Sequence, residues 1–235
     1  MGVTVSGAMS QIWESCCSLH HMTLAYAGEI DSVLPSAAAA TMHVADYEFG
    51  GFDTAGTAVD MRRLEAPLSP VIAAELEGGA QYLGVDAEVL LIAALGRAIE
   101  RVIGPGRAAV DAAAAKERSG GGLAVIRRVE VDCVSASEVD ATEMVQSVRG
   151  SLAAATANPT DVADVLFSYG MSAIDGDHPG PAHTLEVRAF QSDDVLHVDW
   201  WYARHQFEPY TVEELAEQFS YAVIELASEA LPVSE

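Results

Sequence analysis

Two adjacent histidines, His20-His21, form the most chemically suggestive pair in this 235-residue chain. One imidazole would serve as a general base near neutral pH while its neighbour acts as a structural ring. In the plainer reading both are ordinary polar residues on the surface of an N-terminal helix. His197 and Asp199 fall on one side of an expected strand, within reach of each other. They read either as base and orienter, with no nucleophile beside them, or as a hydrogen-bonded structural pair. Trp200-Trp201 follows at once. Adjacent strand residues point to opposite faces, so one indole faces the core and the other a covering helix, a subunit or solvent. Packing explains the first; the second is a candidate partner surface. His178, His183 and His205 flank expected loops and lack ligand spacing.

Several chemistries have no sequence support. Gly120-Gly121-Gly122 precedes an expected strand, whereas a phosphate-cradling glycine cluster sits between a strand and its helix, so it reads as a turn or linker. No Cys pairs, HExxH or EF-hand spacing occur, so no metal is expected. No GxSxG elbow is present either. The 35 acidic side chains against 12 Lys and Arg give a net charge of −23. Too few cations remain to line a nucleic-acid groove or to hold an anionic membrane. Half the residues are hydrophobic and the mean hydropathy is +0.19, so the acid excess marks a solvated surface rather than disorder. Cys16 and Cys17 are adjacent and Cys133 stands alone, which gives no disulfide framework. No signal peptide and no 18-residue apolar run is visible. The expectation is a cytoplasmic protein without nucleic acid or membrane as partner.

The elements that must position these residues divide at about residue 66. Residues 1–66 read as an N-terminal helix and an irregular surface segment, pinned if ordered by Val44, Tyr47, Phe49 and Phe52. Residues 67–235 are regular. Ser69-Pro70 opens a helix that stops near Gly84. Asp86 caps the next, where Val85, Val89, Ile92, Gly96, Ile99 and Ile103 recur at helical steps until Gly104-Pro105-Gly106 ends it. Residues 107–115 form a weak strand, and 123–134 alternate cleanly. A helix over 138–155 starts at Ser135 or Ser137. A strand over 164–169 ends at Gly170, and 183–191 pairs with 195–204 as an antiparallel hairpin. Thr211-Val212-Glu213-Glu214 reads as a capping box opening the last helix, 211–230. The order predicts an α/β two-layer sandwich with helices 86–103, 138–155 and 211–230 over a mixed sheet.

These segments together resemble condensation and epimerization domains of nonribosomal peptide synthetases, the epimerization branch being the nearer. Asp86 to Leu95 resembles a helix of that family. Asp164-Val165-Leu166-Phe167-Ser168-Tyr169-Gly170 resembles its FNYLG strand, and Leu185 to Tyr202 with Phe207 and Thr211 to Ala216 its closing hairpin and last helix. The resemblance implies one half, the C-terminal one, of a chloramphenicol-acetyltransferase-like domain whose two halves face a tunnel for carrier-bound phosphopantetheine. The family's active histidine lies in an HHxxxDG motif. Here His20-His21 is followed by Met22-Thr23-Leu24-Ala25-Tyr26, without Asp-Gly. The family's EGHGR strand is expected near 111–118, where only Arg118 has a counterpart. The resemblance therefore implies a noncatalytic partner or scaffold of a peptide-synthetase system, with no bound cofactor. The alternative is an acyl or aminoacyl transferase or thioesterase on a phosphopantetheine-bound thioester, with His20 or His21 as base. An exposed half-domain face would be covered by a second copy in a homodimer or by a separately encoded synthetase or carrier protein.

Overall fold

A computed structural model describes residues 41–47, 60–114, 125–170, 183–192 and 195–232. His20, His21 and Arg118 lie outside these residues, as do Phe49 and Phe52. Seven strands make one mixed sheet: β1 (Met61–Glu65), β2 (Gly106–Ala114), β3 (Val125–Cys133), β4 (Thr156–Ala157), β5 (Val165–Tyr169), β6 (Leu185–Ser192) and β7 (Val195–Ala203). Their spatial order is β1-β7-β6-β5-β2-β3-β4. The β2–β5 and β5–β6 pairings are parallel and the rest antiparallel. Helices α1 (Pro70–Leu83), α2 (Ala87–Val102), α3 (Ala141–Ala154) and α4 (Pro209–Glu229) form the second layer. None of the described helices is long and apolar enough to cross a membrane.

Local chemistry explains most boundaries. The Ser69 side chain accepts from the Ile72 N–H, Pro70 occupies the first turn, and Gly84 closes α1 at φ 65°, a left-handed cap that glycine adopts without penalty. Two starts differ from the sequence expectation. Ser135 forms a separate turn with Glu138, and the α3 cap is Asp140, whose carboxylate accepts from the Glu143 N–H. Nor is Thr211 a cap. Pro209 opens α4 two residues earlier, because its fixed φ suits the first turn and its missing N–H is not needed there. The Glu208 N–H is instead satisfied by the Asp46 carboxylate.

Strand alternation sorts the sheet into two faces. Val110, Val129, Phe167, Val187, Val198 and Trp200 point to the helices and are fully buried. Trp200 meets Phe219 of α4 edge to face, with ring centroids 5.6 Å apart. Residues 61–65, expected to be irregular, form an edge strand because β7 offers them a complete antiparallel partner from Asp199 to Ala203. Upstream, Val44 is buried and Met42 bridges to Ala108, so part of the preceding tract is pinned.

The helix layer also approaches the sheet very closely at Gly96. A Cβ there would lie 2.7 Å from Val131 Cγ1 and 2.9 Å from the Asp132 carbonyl oxygen. Helix propensity favours alanine over glycine by about 1 kcal/mol, but the backbone carbonyl cannot yield as a side-chain tip can. Gly96→Ala is therefore expected to destabilise by about 1–3 kcal/mol. Gly78→Ala, where a Cβ meets nothing within 4 Å, is expected to be neutral or to stabilise by up to about 1 kcal/mol. Urea unfolding of the two variants checks the contrast, and equal midpoints would rule it out.

Candidate functional site

The face of the sheet opposite the helices carries the polar chemistry. Its central cross-strand row runs Arg63, Trp201, Glu186, Leu166, Asp111, Arg128, from β1 through β7, β6, β5 and β2 to β3. Neighbours in such a row are roughly 4.8 Å apart along the hydrogen-bonding direction, so six side chains share one continuous surface.

At the β1–β7–β6 end the row centres on Trp201. The Arg63 guanidinium lies 5.6 Å and that of Arg188 5.7 Å from its ring, both at cation–π range. Each arginine also holds a buried carboxylate: Arg63 donates to Asp199 at 2.7 Å and Arg188 to Glu186 at 2.7 Å. The carboxylates are only 3–4% exposed, so the charge of each has to be matched. Trp200 and Trp201 thus face opposite ways, the first in the core and the second on the polar face. Asp199 is committed to Arg63, and His197 stacks on Phe190 at 5.3 Å between ring centroids. His197 and Asp199 are thus each engaged with a residue of another strand rather than with each other.

At the β5–β2–β3 end a second cluster gathers around Asp111. His183 Nε2 lies 3.0 Å from Asp111 Oδ2, the Arg128 Nε donates to Oδ1 at 2.6 Å, and the Ala163 N–H donates to Oδ2 at 3.1 Å. Arg128 also donates to the Asp161 carboxylate and carbonyl. Burial on its own raises the Asp111 carboxyl. The hydrogen bonds from His183, Arg128 and Ala163, together with the Arg128 charge, override it and hold the group at about 2. The bond to Asp111 in turn raises the Arg128 guanidinium. Asp111 is therefore a permanent anion near neutral pH, saturated by donors. It orients an imidazole and anchors the 158–164 connection.

Sequence reasoning passed over this cluster. Asp111 and His183 stand 72 positions apart and become neighbours only through the β2–β5–β6 register. One local signal existed: Asp111 is the single charge in the apolar run from Ala108 to Ala115. Cys133 is buried on the helix side, and desolvation pushes its thiol up to about 12, so it is no nucleophile. Among the described residues no group of three metal-ligating side chains converges.

No family model matches the sequence. The chain is 24% identical, over 228 aligned residues, to a component protein of the phenolphthiocerol/phthiocerol polyketide synthase of Mycobacterium tuberculosis, covering 73% of this chain and 15% of that protein. The protein of the same name from Mycobacterium bovis matches to the same extent. Among solved structures, the epimerization domain from the third module of tyrocidine synthetase B superposes with a TM-score of 0.61 at 14% identity, over 81% of this chain and 52% of that one. The EpoB cyclization-docking bidomain of Sorangium cellulosum gives 0.60 at 12% identity, over 80% and 45%. The condensation domain of the Monacolin K polyketide synthase MokA gives 0.59 at 12%, over 98% and 64%. The chain spans about half the length of the epimerization domain it matches. Among the described residues, the seven-stranded mixed sheet with its layer of helices has the fold of about half of a condensation or epimerization domain of nonribosomal peptide synthetases.

Proposed function

We propose that the chain is a noncatalytic partner or scaffold built on a condensation-type half-domain, working in the cytoplasm with an acyl-carrier-dependent synthase. The observation that supports this most is the charge network on the face of the sheet opposite the described helices. Asp111, Glu186 and Asp199 each hold an arginine, so none of these carboxylates is available as a base. In the sequence, the strand expected to carry the family's glycine and histidine reads Ala112-Ala113-Ala114. The matched relative is by name part of a polyketide synthase, a setting in which such a half-domain would meet carrier-bound acyl chains. Its partner is then a phosphopantetheine-bearing carrier protein or a separately encoded synthetase, and a second copy in a homodimer is the other way to cover the face.

The second reading is acyl or aminoacyl transfer, or thioester hydrolysis, with His20 or His21 as base. The buried His183–Asp111 pair, an imidazole already oriented by a carboxylate, offers this reading a second candidate base. Titration calorimetry with a carrier protein, in its apo and phosphopantetheine-loaded forms, tests the scaffold. Binding without turnover of an acyl-pantetheine thioester is expected. Turnover that disappears in His20→Ala, His21→Ala or His183→Ala would overturn the scaffold reading in favour of the enzyme.

A further inference from the structure

Away from the polar face, a cleft of about 310 Å³ opens where α1 crosses the ends of β5, β6 and β7. That volume lies at the small end of the range for sites that take low-molecular-weight ligands. One wall is a stripe of α1: Ala73, Ala74, Glu77 and Ala80 recur at helical steps and so share a face. Tyr169 and Gln191 lie across from it. The alanines leave the space open, and Leu76 beneath them makes the floor apolar.

The polar groups of this cleft differ from those elsewhere on the sheet. Along the opposite face the carboxylates are matched by arginines, whereas no Lys or Arg among the described residues lines this cleft. Burial first, and then the charges of Glu77 and Asp86, raise the Tyr169 hydroxyl. Glu77 and Tyr169 line the same cleft. Asp86 occupies the cap position of α2, yet its side chain makes no capping hydrogen bond. The cleft combines small apolar walls, a negative potential, and a phenol and an amide able to accept N–H donors.

We infer that this cleft binds an alkylammonium group, with the cation beside Glu77 and the aliphatic stem along the alanine stripe. An alkyl carboxylate is repelled by the same potential, and an alcohol of the same length gains only the apolar contact. The shared chemistry has two sources, a free primary amine or a lysine side chain presented by a protein. The inference is independent of the proposed function, since it concerns neither the polar face nor a thioester.

The test is titration of the full chain, followed by heteronuclear NMR, with n-pentylamine, n-pentanol and pentanoate at equal ionic strength. Pentylamine is expected to shift the amides of α1 and of Tyr169 and Gln191 saturably in the millimolar range, with pentanol at least tenfold weaker and pentanoate silent. Glu77→Gln, at an exposed position that leaves the fold intact, is expected to weaken pentylamine about tenfold. Ala74→Leu should block it by filling the cleft, and Glu75→Gln, on the same helix but outside the cleft, should leave it unchanged. Equal shifts from amine and alcohol, or an unaltered titration in Glu77→Gln, would overturn the inference. A second arm compares pentylamine with a lysine-containing peptide capped at both ends. Tighter binding of the peptide assigns the site to a protein lysine, and tighter binding of the amine assigns it to a free ligand.

Discussion

Arg97→Leu is expected to cost about 3–5 kcal/mol of folding stability, the range for removing one member of a buried charge network. Arg97 is fully buried in the middle of α2. Its guanidinium donates to the carbonyls of Val134 and Val139, on the connection between β3 and α3. Its Nε faces Glu225 Oε1 of α4 at 3.5 Å, a charge pairing without a hydrogen bond, while Arg101 holds the other oxygen of Glu225. One side chain therefore ties three segments together. Leucine fills much of the space but leaves two carbonyls without donors and Glu225 with one cation instead of two. The compact unit from Thr41 to Glu235 is about 195 residues long, so the loss corresponds to a fall in Tm on the order of 10 °C. Adding Glu225→Gln to Arg97→Leu removes a carboxylate that has lost one of its two cations, and the double variant is expected to be less destabilised than the sum of the two single ones. Urea and thermal unfolding of the four proteins give the cycle. Strict additivity, or a single-variant loss below about 1 kcal/mol, would contradict the network.

Arg97 also marks where sequence reading stops. The α2 helix was legible because Val89, Ile92, Gly96 and Ile99 repeat at helical spacing and Gly104-Pro105-Gly106 cannot continue it. Within that pattern an arginine one position beyond Gly96 has no local explanation, since its two carbonyl acceptors are 37 and 42 residues away. The β3 strand and the β6–β7 hairpin were legible for a similar reason: alternation is a local signal, and it put Trp200 and Trp201 on opposite faces. In contrast, Met61-Arg62-Arg63-Leu64-Glu65 has adjacent arginines and no clean alternation. It is a strand because it pairs with β7, which no property of those five residues announces. The polar site fared likewise. His197 and Asp199 were legible as neighbours on one strand face, but their partners, Phe190 and Arg63, came from other strands. Side-chain pairs set by sheet register are invisible until the strand order is known. Here that order brings β2 between β5 and β3.

The Asp111 cluster carries the other large expected effect, and it comes with a pH signature. Asp111→Ala leaves Arg128 and His183 facing an empty site, 17% and 7% exposed in their side chains, with the Ala163 N–H unsatisfied. A loss of about 3–5 kcal/mol at neutral pH is expected from breaking this buried pair, since Arg128 is left with only its contacts to the exposed Asp161. Asp111→Asn keeps the shape but turns an N–H₂ or a weaker acceptor towards the guanidinium, so it is expected to fall between wild type and alanine. The wild-type carboxyl titrates at about 2 when folded, against an ordinary value of 3.8. A folded value below the unfolded one means that the unfolded state binds the proton more readily. The stabilisation is therefore complete above about pH 4 and is lost as pH falls through that value towards 2. The lowered carboxyl corresponds to about 2 kcal/mol across that window, since each unit of displacement is worth about 1.4 kcal/mol. Both variants lack this titration, so their urea midpoints should decline less steeply than wild type between pH 4 and pH 2.5, and the curves should converge in acid. Parallel acid slopes in all three proteins would show that Asp111 does not carry the charge on which this end of the polar face is built.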